Sequence, residues 1–233
     1  MYYPYYFDST YLLIVIGAVI CLLASANVNS TYKKYSRVRS ASGLTGREAA
    51  EQILHYFGIY DVRVEHISGN LTDHYDPSSK ILRLSDSTYN SSSVAAIGVA
   101  AHECGHAAQH AKGYLPLTLR SQLVPVANFG STIAWPLIII GFFFTGHTGT
   151  FLINLGILAF SLAVLFQLVT LPVEFNASGR ALAILKQTGL LHPDELKKTR
   201  KVLGAAALTY VASAASVILQ LLRLVILANN RRD

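Results

Sequence analysis

Apolar residues fall into four long blocks along this chain, and the polar residues gather into two segments between them. Tyr11 to Val28 carries no charge and is rich in Leu, Ile and Val. It is about long enough to span a bilayer. From Ser121 to Val173 there is no Lys, Arg, Asp or Glu at all. That is too long for one crossing and suits two, near Leu123 to Phe144 and Phe151 to Leu171. Thr145-Gly146-His147-Thr148-Gly149-Thr150 supplies the turn between them. Pro136 predicts a kink in the first of the pair. The last block runs from about Val202 to Ala228 and is rich in Ala and Ser, residues that let membrane helices pack closely. The pattern predicts about four transmembrane helices.

A cleavable leader is the rival reading of the first block, because Ala24-Ser25-Ala26 has the small-x-small form of a cleavage site. The first ten residues, however, hold Asp8 and no Lys or Arg. The stretch after the block, Lys33 to Arg39, is strongly basic and resists export. A retained anchor over residues 1–28 is therefore expected.

Within the polar segment 29–120 the pattern changes to short elements. Thr45-Gly46-Arg47-Glu48 reads as a capping box for a helix through Ile53 and Tyr56, stopped by Gly58. Asp61 to Ile67 alternates imperfectly and predicts a strand. Lys80 to Leu84 predicts a second, entered by the turn Asp76-Pro77-Ser78-Ser79. A run of possible N-caps, Asn90 to Ser93, precedes a helix from Val94 to Lys112 that Gly113 ends.

Composition sharpens this picture. Mean hydropathy is +0.39, and 14% of residues are charged, against about 25% in soluble domains. The net charge of +6 is then a matter of topology, not of nucleic-acid binding, which is not expected. Residues 29–120 hold ten Lys and Arg and residues 174–201 hold six, while the turn at 145–150 and the first ten residues hold none. The positive-inside rule places both polar segments in the cytoplasm and the N-terminus outside. Arg231 and Arg232 then fall on the outer side, a mild conflict with the rule. A multi-pass cell-membrane protein, of prokaryotic type, is expected. Lys197, Lys198, Arg200 and Lys201 read as a lipid-facing collar before the last crossing. Arg223 lies near the end of that crossing, where it can reach the interface. The two cysteines, Cys21 and Cys104, form no disulfide framework.

The chemistry enters with His102-Glu103-Cys104-Gly105-His106. H-E-x-x-H on a helix puts two imidazoles on one face, where they can hold zinc, with the Glu beside them as general base. Cys104 points about 200° away around the helix and reads as a packing residue. His110 continues the i, i+4 series but sits about 12 Å along the axis from His102, too far to share the ion. Glu174 is the better third ligand. It is the first charge after the uncharged stretch, and a hairpin returns it to the side of the His pair. Pro172 predicts a helix start there, with Glu174 in its first turn, where an acid is also favoured by the helix dipole without any metal.

His102-Glu103-x-x-His106, followed after a membrane hairpin by Glu174-Phe175-x-Ala177-Ser178, resembles the YugP-type family of membrane zinc metallopeptidases. More distantly it is similar to HtpX-type membrane proteases. The resemblance takes in Gly43-Leu44-Thr45-Gly46, Leu71 to Pro77, Val99 to Glu103 and Leu208 to Ala212. It implies one zinc ion per chain on His102, His106 and Glu174, with Glu103 as base. Ser178 stands where the HtpX-type proteases have Asp, so their supporting role for that position is not carried over. The oxyanion-stabilising or supporting group is open among Arg180, His192 and Tyr210.

These readings combine into a membrane α-helical protein with a small α+β zincin-like minidomain, its H-E-x-x-H helix packed on a short sheet. The expected organisation is an anchor at 1–28, a cytoplasmic segment at 29–120, a membrane hairpin at 121–173, a cytoplasmic helix with the third ligand at 174–201, and a last crossing and tail at 202–233. The expected function is hydrolysis of membrane-associated or misfolded proteins at the cytoplasmic face, with Lys80 to Leu84 as the strand receiving the substrate backbone. Two rivals are an intramembrane-cleaving protease and a non-catalytic adaptor or chaperone with a structural metal. The first needs a Leu-Asp-Gly ligand context that the chain lacks. The second needs a fourth protein ligand.

Overall fold

The computed structural model describes residues 8–231. The first seven residues of the expected anchor, and Arg232 in the tail, lie outside the described residues. The chain forms two compact units. One comprises Ala24–Leu119 and Thr170–Tyr210; the other comprises Met1–Leu23, Arg120–Val169 and Val211–Asp233. Four long helices contribute to both: α1 (Tyr11–Tyr35), α4 (Leu115–Phe143), α5 (Gly146–Gln187) and α6 (Pro193–Asn230). All four are long and apolar enough to cross a membrane.

The first unit holds the minidomain. Helix α2 (Gly46–Tyr56) starts on Thr45, whose hydroxyl accepts from the Glu48 N–H while the Glu48 carboxylate accepts from the Thr45 N–H. Its buried positions, Gly46, Ala49, Ala50, Ile53 and Leu54, form one stripe at helical period. Gly58, at φ +70°, ends it. Helix α3 (Val94–Ala111) starts on Ser93, which accepts from the Ala96 N–H, and ends before Gly113 at φ +60°. Most of α3 is buried, with Val94, Ala95, Ile97, Ala100, Ala101 and Cys104 fully so. That explains why its only formal charge is Glu103. It is a central helix, packed on α2 and on the sheet.

The sheet has order β1-β3-β2, with β1 (Arg63–Ile67) parallel and β2 (His74–Asp76) antiparallel to β3 (Ile81–Ser85). This corrects the expectation for Lys80 to Leu84. That segment is the central strand, its backbone paired on both sides, so it has no edge to offer a substrate. Ile81, Leu82 and Leu84 are buried, as suits a strand covered on both faces.

A second correction concerns Pro172. No helix begins there; α5 runs unbroken through it. An interior proline costs about 3 kcal/mol. Downstream, Val173, Ala177, Ala181, Ile184 and Leu185 form a stripe that is at most 1% exposed. Each large aliphatic side chain buried there returns about 1.5–3 kcal/mol, so the helix continues.

In the second unit the helices meet through small residues. A Cβ on Gly17 would lie 2.8 Å from Ser216 Oγ, and one on Gly130 would lie 2.7 Å from the Ala159 carbonyl. Ala134, Ile138, Phe160 and Leu224 form the packed centre. Leu22, Phe129 and Leu158 stand about two-thirds exposed, as lipid-facing residues do. Arg223 pairs with Asp8 at 3.7 Å and lies over the Tyr11 ring. Arg231 donates to the carbonyls of Gly141 and Phe144 at the end of α4. The start of α1, the α4–α5 turn and the last turns of α6 therefore share one end of this unit. Arg231 is accounted for as a cap on backbone carbonyls.

Candidate metal centre

All the residues of the candidate site belong to the first unit. His102 and His106 lie one turn apart on α3, and α5 brings Glu174 against them. The reason for so close an approach is Gly105. A Cβ there would lie 2.6 Å from the Ala177 carbonyl oxygen, so only glycine lets α3 and α5 touch at this level.

The three candidate ligand atoms form a tight triangle. His102 Nε2 is 3.2 Å from His106 Nε2 and 3.3 Å from Glu174 Oε2, and His106 Nε2 is 3.6 Å from the same oxygen. Atoms bound to one tetrahedral zinc by bonds of about 2.0–2.1 Å stand about 3.3 Å apart. His102, His106 and Glu174 thus fit a single metal ion, and no other such group occurs among the described residues. His106 and Glu174 are buried, and His102 is nearly so.

The far side of each imidazole is also held. Gln109, fully buried, donates its amide N–H groups to the Val173 carbonyl at 2.8 Å and to Asn176 Oδ1 at 3.0 Å. Its Oε1 is thereby turned to His106 Nδ1 at 3.1 Å and accepts from it. An imidazole that donates from Nδ1 keeps its Nε2 lone pair for a metal. Ser178 Oγ stands 3.1 Å from His102 Nδ1 and provides the matching partner. Ser178, to which the HtpX-type role was not carried over, thus sets its hydroxyl against His102.

The electrostatics favour positive charge. Burial works against a charged His106, but the hydrogen bond to Glu174 and the nearby carboxylates of Glu103 and Glu174 outweigh it, and its pKa lies above the ordinary value. Burial pushes the Cys104 thiol well up, and its Sγ faces the Ala50 carbonyl. That is a packing residue, with no thiolate to attack or ligate.

The remaining sequence candidates are placed as follows. Glu103 is 7% exposed and lines a cavity together with His102 and Tyr210. Arg180 donates to Asn176 Oδ1 at 2.7 Å and lies over the Tyr114 ring. It reaches His106 only through Asn176 and Gln109. His192 is exposed just before α6, its backbone N–H bound by Glu195. His110 is exposed and meets the Tyr75 hydroxyl at 2.8 Å, outside the ligand triangle. Gln109 is the residue that sequence reasoning missed. Its position three residues after His106 is the signal, since i, i+3 side chains meet on a helix.

The chain is also similar to known proteins. The family described as "Putative neutral zinc metallopeptidase" matches residues 10–229. A protein of Bacillus subtilis (strain 168), "Putative membrane protease YugP", is 50% identical over 210 residues, covering 90% of this chain and 92% of its own length. No solved structure matches.

Proposed function

Because the chain belongs to the neutral zinc metallopeptidase family, we propose that it is a membrane endopeptidase that cleaves membrane-associated or misfolded proteins, holding one zinc ion on His102, His106 and Glu174. The observation that carries this reading is the 3.2–3.6 Å triangle of Nε2, Nε2 and Oε2. Three protein ligands leave a fourth position open, the arrangement of a catalytic and not a structural zinc. Bound there, the ion supplies Lewis-acid polarisation of the scissile carbonyl and a lowered pKa for the attacking water.

The chain's own residues do the rest. Glu103, beside the first ligand and partly sheltered from solvent, accepts the proton of the attacking water and delivers it to the leaving amine nitrogen. Gln109 and Ser178 hold the two imidazoles in the ligating tautomer. The positive-inside count supports a site on the cytoplasmic face, with the N-terminus, the α4–α5 turn and the C-terminus outside. The common end shared by Asp8, Arg223, Arg231 and Phe144 supports the same parity.

The test compares wild-type protein with Glu103→Gln in detergent. Equal bound zinc and no cleavage of an unfolded membrane protein by the variant is the expected result. Equal cleavage by both overturns the role of Glu103, and a wild type that binds no zinc overturns the site.

A further inference from the structure

We propose that the cavity beside His102 and Glu103 is the subsite for one apolar side chain of Leu or Phe size, flanking the scissile bond. This rests on the peptidase reading and gives it a substrate class. The cavity measures about 230 Å³ and lies wholly within the unit that holds the metal centre. That is below the range of about 300–1,000 Å³ for pockets that take a whole drug-sized ligand and suits a single side chain.

Most of its exposed wall is apolar. Val99 lies one turn before His102 and Glu103 on the same face of α3. Val202, Leu203 and Ala206 come from α6, and Val28 and Leu71 add to the apolar lining. Three of the polar side chains that line it are already engaged within the protein. The Tyr32 hydroxyl donates to the Ser87 carbonyl at 2.9 Å. Both oxygens of Asp73 accept from Ser85, from its N–H at 2.8 Å and its hydroxyl at 2.9 Å. The Thr209 hydroxyl donates to the Ala206 carbonyl at 2.6 Å. An acidic side chain meets the carboxylates of Asp73 and Glu103, and a cationic one has to leave water for a largely apolar wall. An apolar one loses nothing on entry.

Leu71 adds an independent observation. It is held at φ +57°, a left-handed conformation that leucine adopts only at a cost. The loop around it is braced: the Gly69 N–H donates to Asp86 Oδ2 at 2.8 Å, the Asp86 N–H to the Gly69 carbonyl at 3.0 Å, and the Thr72 hydroxyl to the Ser68 carbonyl at 3.2 Å. The bracing keeps an apolar side chain over the cavity against its backbone preference.

The test uses zinc-loaded full-length protein in detergent and a series of amino-acid hydroxamates with Ala, Leu, Phe, Asp or Lys side chains. Calorimetry measures their binding, and a peptide panel with the same residues on either side of the scissile bond measures kcat/KM. Leu and Phe are expected to bind about 10- to 100-fold more tightly than Ala, from burial of one large side chain, with Asp the weakest. Ala206→Phe fills the cavity and brings Leu down to the level of Ala, with zinc content unchanged. Leu71→Gly relieves the backbone and costs no thermal stability, yet reduces the advantage of Leu several-fold; it serves also if Ala206→Phe does not fold. Cleavage without side-chain discrimination, or a preference for Lys, overturns the subsite and leaves the peptidase reading standing. A zinc-loaded protein that cleaves no peptide overturns the peptidase reading, and the subsite with it.

Discussion

Gln109 shows how much of the proposed metal site lies outside its ligands. It is fully buried and makes three hydrogen bonds, each to a group that has to be oriented: His106, the Val173 carbonyl and Asn176. Gln109→Leu removes the acceptor for His106 Nδ1–H and leaves that buried donor unsatisfied. Zinc affinity is expected to fall about 10- to 100-fold, and stability by about 1–3 kcal/mol. Zinc competition titration and chemical unfolding measure the two effects. Losing neither would show that the His106 tautomer is set elsewhere. The sequence displays the His pair because H-E-x-x-H is local. It hides Gln109's role, because that role depends on Val173 and Asn176, more than sixty residues away.

At the scale of elements, the helix ends were legible because their signals are local. Thr45 with Glu48, Gly58, Ser93 and Gly113 each act within one turn. Strand β2 was not legible: His-Tyr-Asp has no alternation and is held by pairing to β3. The central place of β3 and the continuity of α5 through Pro172 were also hidden, since partners distant in the chain decide both. Two predictions belong here. Gly105→Ala sets a methyl group against the Ala177 carbonyl, where backbone must yield. A loss of about 1–3 kcal/mol in stability, with reduced zinc occupancy, is expected in thermal unfolding and metal analysis. The second concerns Asp76, whose carboxyl the Ser78 and Ser79 hydroxyls hold well below its ordinary 3.8. Its contribution is present above that value and is lost as pH falls through the lower folded-state pKa. Asp76→Asn is expected to flatten the acid limb of stability, read by urea unfolding at about pH 7 and about pH 3. Unchanged pH dependence would show that the turn does not carry it.

For the whole molecule, the four apolar helices and the charge count were readable from composition alone, because lipid imposes length and polarity on every span. The meeting of the start of α1 and the last turns of α6 at the end that holds the α4–α5 turn was not, since it depends on Arg223 and Arg231 finding particular partners. Single cysteines introduced at residues near 70, near 147 and near 190 of a cysteine-free variant test the arrangement in intact cells. Only the site near 147 is expected to react with an impermeant reagent. Labelling near 70 or 190 would reverse the topology. The placement of the ligands has a consequence for biosynthesis. Two of them leave the ribosome together on α3, but the third arrives only after all of α4 and most of α5 have been made. A chain stalled or misinserted within that hairpin holds two of the three proposed ligands. On the proposed function, protease activity is thereby withheld from a nascent copy until its membrane hairpin has been made.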